Sequence, residues 1–242
     1  MKNSYLIIII FATLCANYSF GQSNKSPDNK DVFNAVANDN INILISEYTL
    51  KQHDVNDLKF YDNIQGNPYL PKNFTEGVIN INDKNIRTFF RYNMHTDEVE
   101  FKIKDLILIL TEIPEETRID MEDNTLIYLT YYPKNSSSKT GFLSLLTEGN
   151  YNLLAKKNVI FIPKDPPQPI IDSKPDRFVQ KEDDFYIRKN NNQPIEIKSK
   201  KDLIKYLPEL EEKIDEFLKT HKIKFKNNED MIDLFKFLNQ QI

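Results

Sequence analysis

The chain has 242 residues, 40% hydrophobic and 28% charged, with 36 acidic and 32 basic side chains, 12 Pro, 5 Gly, 1 Cys and no Trp. This is the composition of a globular protein of one large domain or two small ones, and it excludes collagen-like, disulfide-scaffold and low-complexity classes. So few glycines also speak against chemistry built on Gly-rich phosphate loops, and composition names no reaction or ligand.

The first predicted element is an address. Lys2 precedes an apolar run from Tyr5 to Ala16, the n-region and h-region of a secretory signal. The run is too short to span a bilayer, which takes ~20 apolar residues. Ser19 and Gly21 place small residues at −3 and −1, so residues 1–21 are expected to be cleaved off. Cys15 lies inside this segment behind Leu14, where a lipidation signal needs a small residue. The mature chain would then hold no Cys, hence no disulfide, thiol nucleophile or Cys metal site. The charges of the rest are interspersed. That argues against nucleic acid and against a polybasic membrane anchor, both of which lean on clustered Lys and Arg. No later segment is apolar enough to cross a membrane.

Residues 22–40 read as a polar, disordered or weakly ordered tail, with a helical turn at Asp31–Ala37. Residues 41–163 read as an antiparallel β-meander. Ile41, Ile43 and Ile45 open it by alternation. Gly77–Ile81 and Ile86–Met94 flank the turn Asn82-Asp83-Lys84-Asn85. On the second of these strands Ile86, Thr88, Phe90, Tyr92 and Met94 share one face; Arg87, Phe89, Arg91 and Asn93 share the other. Val99, Phe101 and Ile103 alternate with charged residues, so that strand should be half buried. Leu106–Leu110 is apolar throughout and should be covered on both faces. Thr117–Met121 and Thr125–Tyr132 flank another turn. Gly141–Leu146 and Asn158–Ile162 add two more strands, with Glu148-Gly149-Asn150 as a turn. Short strands at this spacing, joined by tight polar turns, predict a curved sheet, a sandwich or a partial barrel.

Residues 164–182 read as a Pro-rich connector. Residues 183–242 read as a small hairpin and two to three C-terminal helices packed on the sheet. The hairpin is Phe185–Arg188 and Ile195–Ile197 around Asn190-Asn191-Asn192. Ser199 is placed to cap the first helix. Pro208 divides the apolar series Leu203, Leu207, Leu210, Ile214, Phe217 and Leu218. Glu209 with Lys213 and Asp215 with Lys219 have the spacing of exposed ion pairs. Asn228 should cap a last helix with a stripe of Met231, Leu234, Phe235 and Leu238. The fold class expected is α+β, mainly antiparallel β.

Chemistry is sparse. His53, His95 and His221 have no partner at i+3 or i+4, so no helix-borne metal pair exists. No G-x-S-x-G elbow marks a nucleophile. The acidic clusters Glu115-Glu116, Asp120-x-Glu122-Asp123 and Glu182-Asp183-Asp184 fall at turns, where solvated acids are ordinary. The expectation is no catalytic residue, no metal site and no cofactor. The most pointed feature is Arg87, Phe89 and Arg91, two guanidiniums flanking an aromatic that could bind an anion or stack on a ring. The plainer reading pairs these charges with Glu98 and Glu100 on the neighbouring strand.

Certain motifs carry a resemblance. Gly66-Asn67-Pro68-Tyr69-Leu70-Pro71, Phe74-x-x-Gly77, Arg91-Tyr92-Asn93 and Asp97-Glu98-Val99-Glu100-Phe101 resemble a family of uncharacterised secreted proteins of the Bacteroidota. Phe185-Tyr186-Ile187 and Ser199-Lys200-Lys201-Asp202-Leu203 are similar to its C-terminal unit. The resemblance covers roughly residues 60–240 and brings no established activity. It implies export, with retention in the periplasm or at the outer membrane and extracellular release left open. The leading expectation is a non-enzymatic envelope protein that binds or scaffolds an unknown envelope partner. The alternatives are a periplasmic carrier of a small hydrophobic ligand, lipid or lipoprotein, and a hydrolase of envelope or host polymers.

Overall fold

Residues that alternate apolar and polar pair into one long antiparallel sheet. A computed structural model describes residues 48, 50–52, 61, 64–104, 106–166 and 174–241. The strands are β1 (Leu50–Gln52), β2 (Tyr69–Ile81), β3 (Lys84–Asn93), β4 (Glu98–Ile103), β5 (Leu106–Leu110), β6 (Arg118–Met121), β7 (Asn124–Tyr131), β8 (Lys139–Thr147), β9 (Tyr151–Lys156), β10 (Val159–Ile162), β11 (Arg177–Gln180), β12 (Asp184–Lys189) and β13 (Ile195–Glu196). Eleven of them form the sheet, in the order β1-β5-β4-β3-β2-β6-β7-β8-β9-β12-β13, and it does not close into a barrel. β10 and β11 form a separate antiparallel pair. Helices α1 (Lys200–Tyr206), α2 (Glu211–Thr220) and α3 (Asn228–Asn239) end the chain. The expected mainly antiparallel sheet with C-terminal helices is what forms.

Local chemistry sets the turns. Asn82 and Asp83 both take positive φ, 46° and 62°, in a two-residue turn that joins Ile81 to its partner Lys84. Asn and Asp tolerate this left-handed backbone better than other side chains do. β3 buries Ile86, Thr88, Phe90 and Tyr92, the face that alternation assigns to the core.

Three segments differ from the sequence reading. β2 begins at Tyr69 rather than Gly77 and contains Pro71. Its pairing with β3 shifts register between Leu70 and Thr75, so the proline's missing N–H falls at an irregularity. β9 has no counterpart in the sequence reading, because Leu153-Leu154-Ala155 is apolar on both faces and shows no alternation. β11 lies within the stretch read as a connector, and its Phe178 is buried beneath the sheet's first half. The signal segment 1–21, the tail 22–40, the alternation at Ile41–Ile45 and His53 lie outside the described residues.

Two large cores result. One joins β2–β5 to the β10–β11 ribbon through Phe90, Tyr92, Phe101, Val159 and Phe178. The other packs the helices on β9 and β12, with Met231, Leu234, Phe235 and Leu238 of α3 against Tyr151, Leu153, Phe185 and Ile187. A third, smaller cluster occupies the opposite face there, with Leu143, Leu154, Tyr131 and Tyr186.

Ser199 caps α1 as expected, accepting a hydrogen bond from the Asp202 N–H. The cap of α3 is Asn227, not Asn228; its Oδ1 accepts from the Asp230 N–H at 2.9 Å. The predicted helical pairs also give way. Glu209 meets Lys189 of β12 and Asp215 meets Lys200 of α1. Tertiary packing brings these lysines close, and an exposed i,i+4 pair is worth only a few tenths of a kcal/mol.

Phe235 is fully buried between α3 and the sheet. Phe235→Ala is expected to lower unfolding free energy by about 3–5 kcal/mol. Asn227→Ala should cost about 1 kcal/mol through the lost cap. Urea unfolding followed by circular dichroism measures both.

Candidate functional site

The Arg87, Phe89 and Arg91 face is built, but its two guanidiniums do different things. Arg87 is exposed and pairs with Glu76 on β2 at 3.1 Å. Arg91 is largely covered. It reaches the fully buried Glu100 at 2.6 Å and rests on the rings of Tyr69 and Phe74, 3.7 and 4.4 Å from their centroids. Desolvation strengthens such a contact between a cation and an aromatic face. Phe89 stands between them, 52% exposed. Both guanidiniums thus meet carboxylates of this chain. The pairing with Glu100 is the one cross-strand pairing places there; Arg87 takes Glu76 instead of Glu98.

A second place gathers more polar groups. In an antiparallel sheet neighbouring strands run in opposite directions. β7 and β9 therefore end where β8 and β12 begin, and β13 ends there too. This edge holds a cleft of about 270 Å³ lined by Tyr131, Lys139, Lys156, Asp184, Tyr186 and Glu196, with Asn135, Ser136, Asn158 and Lys198 from the adjoining loops. An isolated parallel bridge from Tyr132 to Ile195 closes one side.

The charges here are mostly paired. Lys156 donates to Asp97 Oδ1 at 2.6 Å, to the Phe142 carbonyl at 3.0 Å and to the Tyr92 hydroxyl at 3.3 Å. Asp97 Oδ1 also accepts from the Tyr92 hydroxyl and the Phe142 N–H. Glu196 is buried and accepts from Lys198 Nζ and the Lys134 N–H. Asp184 accepts from Asn158 Nδ2 at 2.9 Å but has no ion-pair partner among the described residues. Lys139 has none either.

The Tyr131 and Tyr186 rings meet edge to face, 5.0 Å apart. The rings are buried; the hydroxyls are not among the fully buried unpartnered atoms, and neither has a hydrogen-bond partner among the described residues. Burial, aided by Asp97 and Asp184, pushes the Tyr131 phenol up to about 12. Burial raises Tyr186 further, with Glu196 adding to it. Both hydroxyls therefore stay protonated at neutral pH and can donate. Burial lowers the Lys156 ammonium below the ordinary lysine value; Asp97 opposes this and Lys139 reinforces it.

The histidines stand elsewhere. The His95 ring packs on Phe178, with Nδ1 3.3 Å from the Val159 carbonyl oxygen. His221 stacks on Phe217 at 4.1 Å. Among the acidic clusters, Glu116 pairs with Arg188, Asp120 with Arg118, and Asp183 with Lys157. Among the described residues no group of three His, Cys, Asp or Glu is arranged to hold a metal ion.

Comparison of the chain with protein-family models, curated proteins and solved structures finds no match.

Sequence reading does not find Lys139 and Lys156, and it takes Asp184, in the run Glu182-Asp183-Asp184, for a solvated acid at a turn. Each begins or ends a strand, and their meeting depends on β9. The legible signal was the even antiparallel alternation itself: with β9 counted, these strand ends fall on one edge.

Gly141 allows the Asp97 contact. A Cβ at this position would collide with Asp97 Oδ2, whose carboxylate is already held by three donors. Gly141→Ala is expected to destabilise the fold by about 2 kcal/mol. The cost should shrink in an Asp97→Gly background, which a double-mutant cycle by urea unfolding reads directly.

Alkali provides a second check. Tyr69, Tyr92, Tyr131 and Tyr186 all have raised values in the fold, chiefly through burial. A raised value means the folded chain keeps protons that the unfolded chain releases near pH 10. Their contribution is fully present below pH 10 and is lost as pH climbs toward 12 and beyond. Lys156 acts in the opposite sense, since its lowered value makes stability rise with pH as its proton leaves; one lysine is outnumbered. The melting temperature should therefore fall between pH 9 and 11, and a flat profile would contradict the assignment.

Proposed function

We propose that the chain is an exported, non-enzymatic binding protein of the bacterial envelope, whose contact site is the cleft at the shared end of β7, β8, β9, β12 and β13. The observation that carries this reading is the state of the cleft's polar groups. Two charges, on Lys139 and Asp184, lack ion-pair partners among the described residues, and the Tyr131 and Tyr186 hydroxyls have no hydrogen-bond partner among them. A preformed concavity with a few convergent polar groups is the usual form of a ligand site. Lys156 is pinned by three acceptors, which suits holding a charge in place rather than moving a proton.

The sheet is read as curling over itself to make this concavity. β3 and β9 are five places apart in the sheet order, a distance of about 24 Å on a flat sheet. The turn after β3 nevertheless puts Asp97 2.6 Å from Lys156 on β9. β12 and β13 form the hairpin that walls one side. Export rests on the signal-like residues 1–21 and on the resemblance to secreted Bacteroidota proteins. The hydrophobic-carrier alternative draws less support, because the larger clefts among the described residues set charged groups beside their apolar ones, Lys181, Asp183 and Lys226 beside Phe185 and Phe225 in one, and Lys134 and Asp202 beside Ile195 and Tyr206 in another.

A photo-crosslinking residue at Ser136, on the rim of the cleft, tests the reading in intact cells. It should capture an envelope component that the same residue at Glu122, on a remote turn, does not. Equal labelling at both positions, or retention of the protein in the cytoplasm, would overturn the proposal.

A further inference from the structure

We infer that the ligand of this cleft is a small zwitterion, an amino acid or an unblocked short peptide, with its carboxylate at Lys139 and its ammonium at Asp184. The inference rests on the reading of the cleft as a binding site and adds the ligand's chemistry.

The argument is one of charge accounting. Five charged side chains line the cleft. Lys156 is satisfied by Asp97, and Lys198 and Glu196 satisfy each other. That leaves one cation, Lys139, and one anion, Asp184, each without an ion-pair partner among the described residues. A purely anionic ligand would be drawn to Lys139 and repelled by Asp184. A purely cationic ligand would meet Asp184 but also face Lys139 with Lys156 nearby. Only a ligand of both signs gains at both ends.

The spacing agrees. Lys139 starts β8 and Asp184 starts β12, with β9 between them. Asp184 pairs with Lys156, one residue past the Ala155–Ser144 pair, so Lys139 stands about four residues along β8 as well as two strands across, and the backbones are about 16 Å apart. The lysine and aspartate side chains shorten that gap, yet the two do not pair with each other. What is left suits a molecule whose charges are separated by one or two residues. The Tyr131 and Tyr186 hydroxyls border the same cleft and can donate to the ligand's carboxylate or carbonyl oxygens.

The test uses the full chain and three related probes: L-alanyl-L-alanine, its N-acetyl form and its C-terminal amide. Binding is followed by isothermal titration and by NMR shifts of tyrosine ring signals. The unblocked dipeptide should bind about tenfold or more tightly than either blocked form, as loss of a charge-assisted hydrogen bond implies. Lys139→Met should erase the preference over the amide while keeping the preference over the N-acetyl form. Asp184→Asn should do the reverse. Neither residue has an ion pair to lose among the described residues, Asn can keep the hydrogen bond from Asn158, and a thermal melt confirms that each variant is folded. Equal binding of all three probes, preferences unchanged in the variants, or no binding of any probe overturns the zwitterion assignment. Crosslinking at Ser136 decides the broader binding role independently, so a failure of one can be told from a failure of the other.

Discussion

The ion pair between Asp97 and Lys156 ties together parts of the sheet that the strand order keeps far apart. Asp97 sits in the turn between β3 and β4 with φ at 60°. Its Oδ1 takes three donors, from Tyr92, Phe142 and Lys156, while the absence of a side chain at Gly141 makes room for Oδ2. Removing two charges from water costs free energy, and mutual attraction recovers it only when the remaining hydrogen bonds are good. Here they are. The result is to fix where the Lys156 ammonium stands, and with it one wall of the cleft. Tyr92 serves both sides of this arrangement, since its ring packs on Phe142 in the core while its hydroxyl reaches Asp97.

Much of the fold could be read from side-chain alternation. β3 shows why: Ile86, Thr88, Phe90 and Tyr92 all point where period two sends them. The reading breaks where alternation is not the governing constraint. Glu100 belongs to the polar series of β4, yet it is wholly buried. Arg91 neutralises it, and Tyr69 and Phe74 cover that arginine. Those two rings lie on the early part of β2, which Pro71 disguised. One unrecognised half-strand thus hid the reason for a buried charge. β9 was lost for a different reason, because helices cover one face and the Leu143 cluster the other, so no polar side alternates.

The cleft was illegible for reasons of the same kind. No motif marks Lys139 or Lys156, and the acidic run that holds Asp184 looks like any solvated turn; all three are ordinary residues at strand ends. Their significance is relational. It comes from direction of travel along an antiparallel sheet, and one missing strand reverses that direction for every strand that follows. Arg87, Phe89 and Arg91 were conspicuous because they are adjacent in sequence; the structure spends both arginines on neighbouring carboxylates.

The bridge between Tyr132 and β13 bears on how the molecule behaves among its own copies. An open sheet normally ends in a row of free backbone groups that can recruit another chain's strand. At this end the final strand is two residues long. Its outward backbone groups are already engaged, Glu196 N–H donating to the Tyr132 carbonyl and Tyr132 N–H donating to that of Pro194. The polypeptide thereby blunts this margin of its sheet with a segment of itself, and leaves little there to template aggregation.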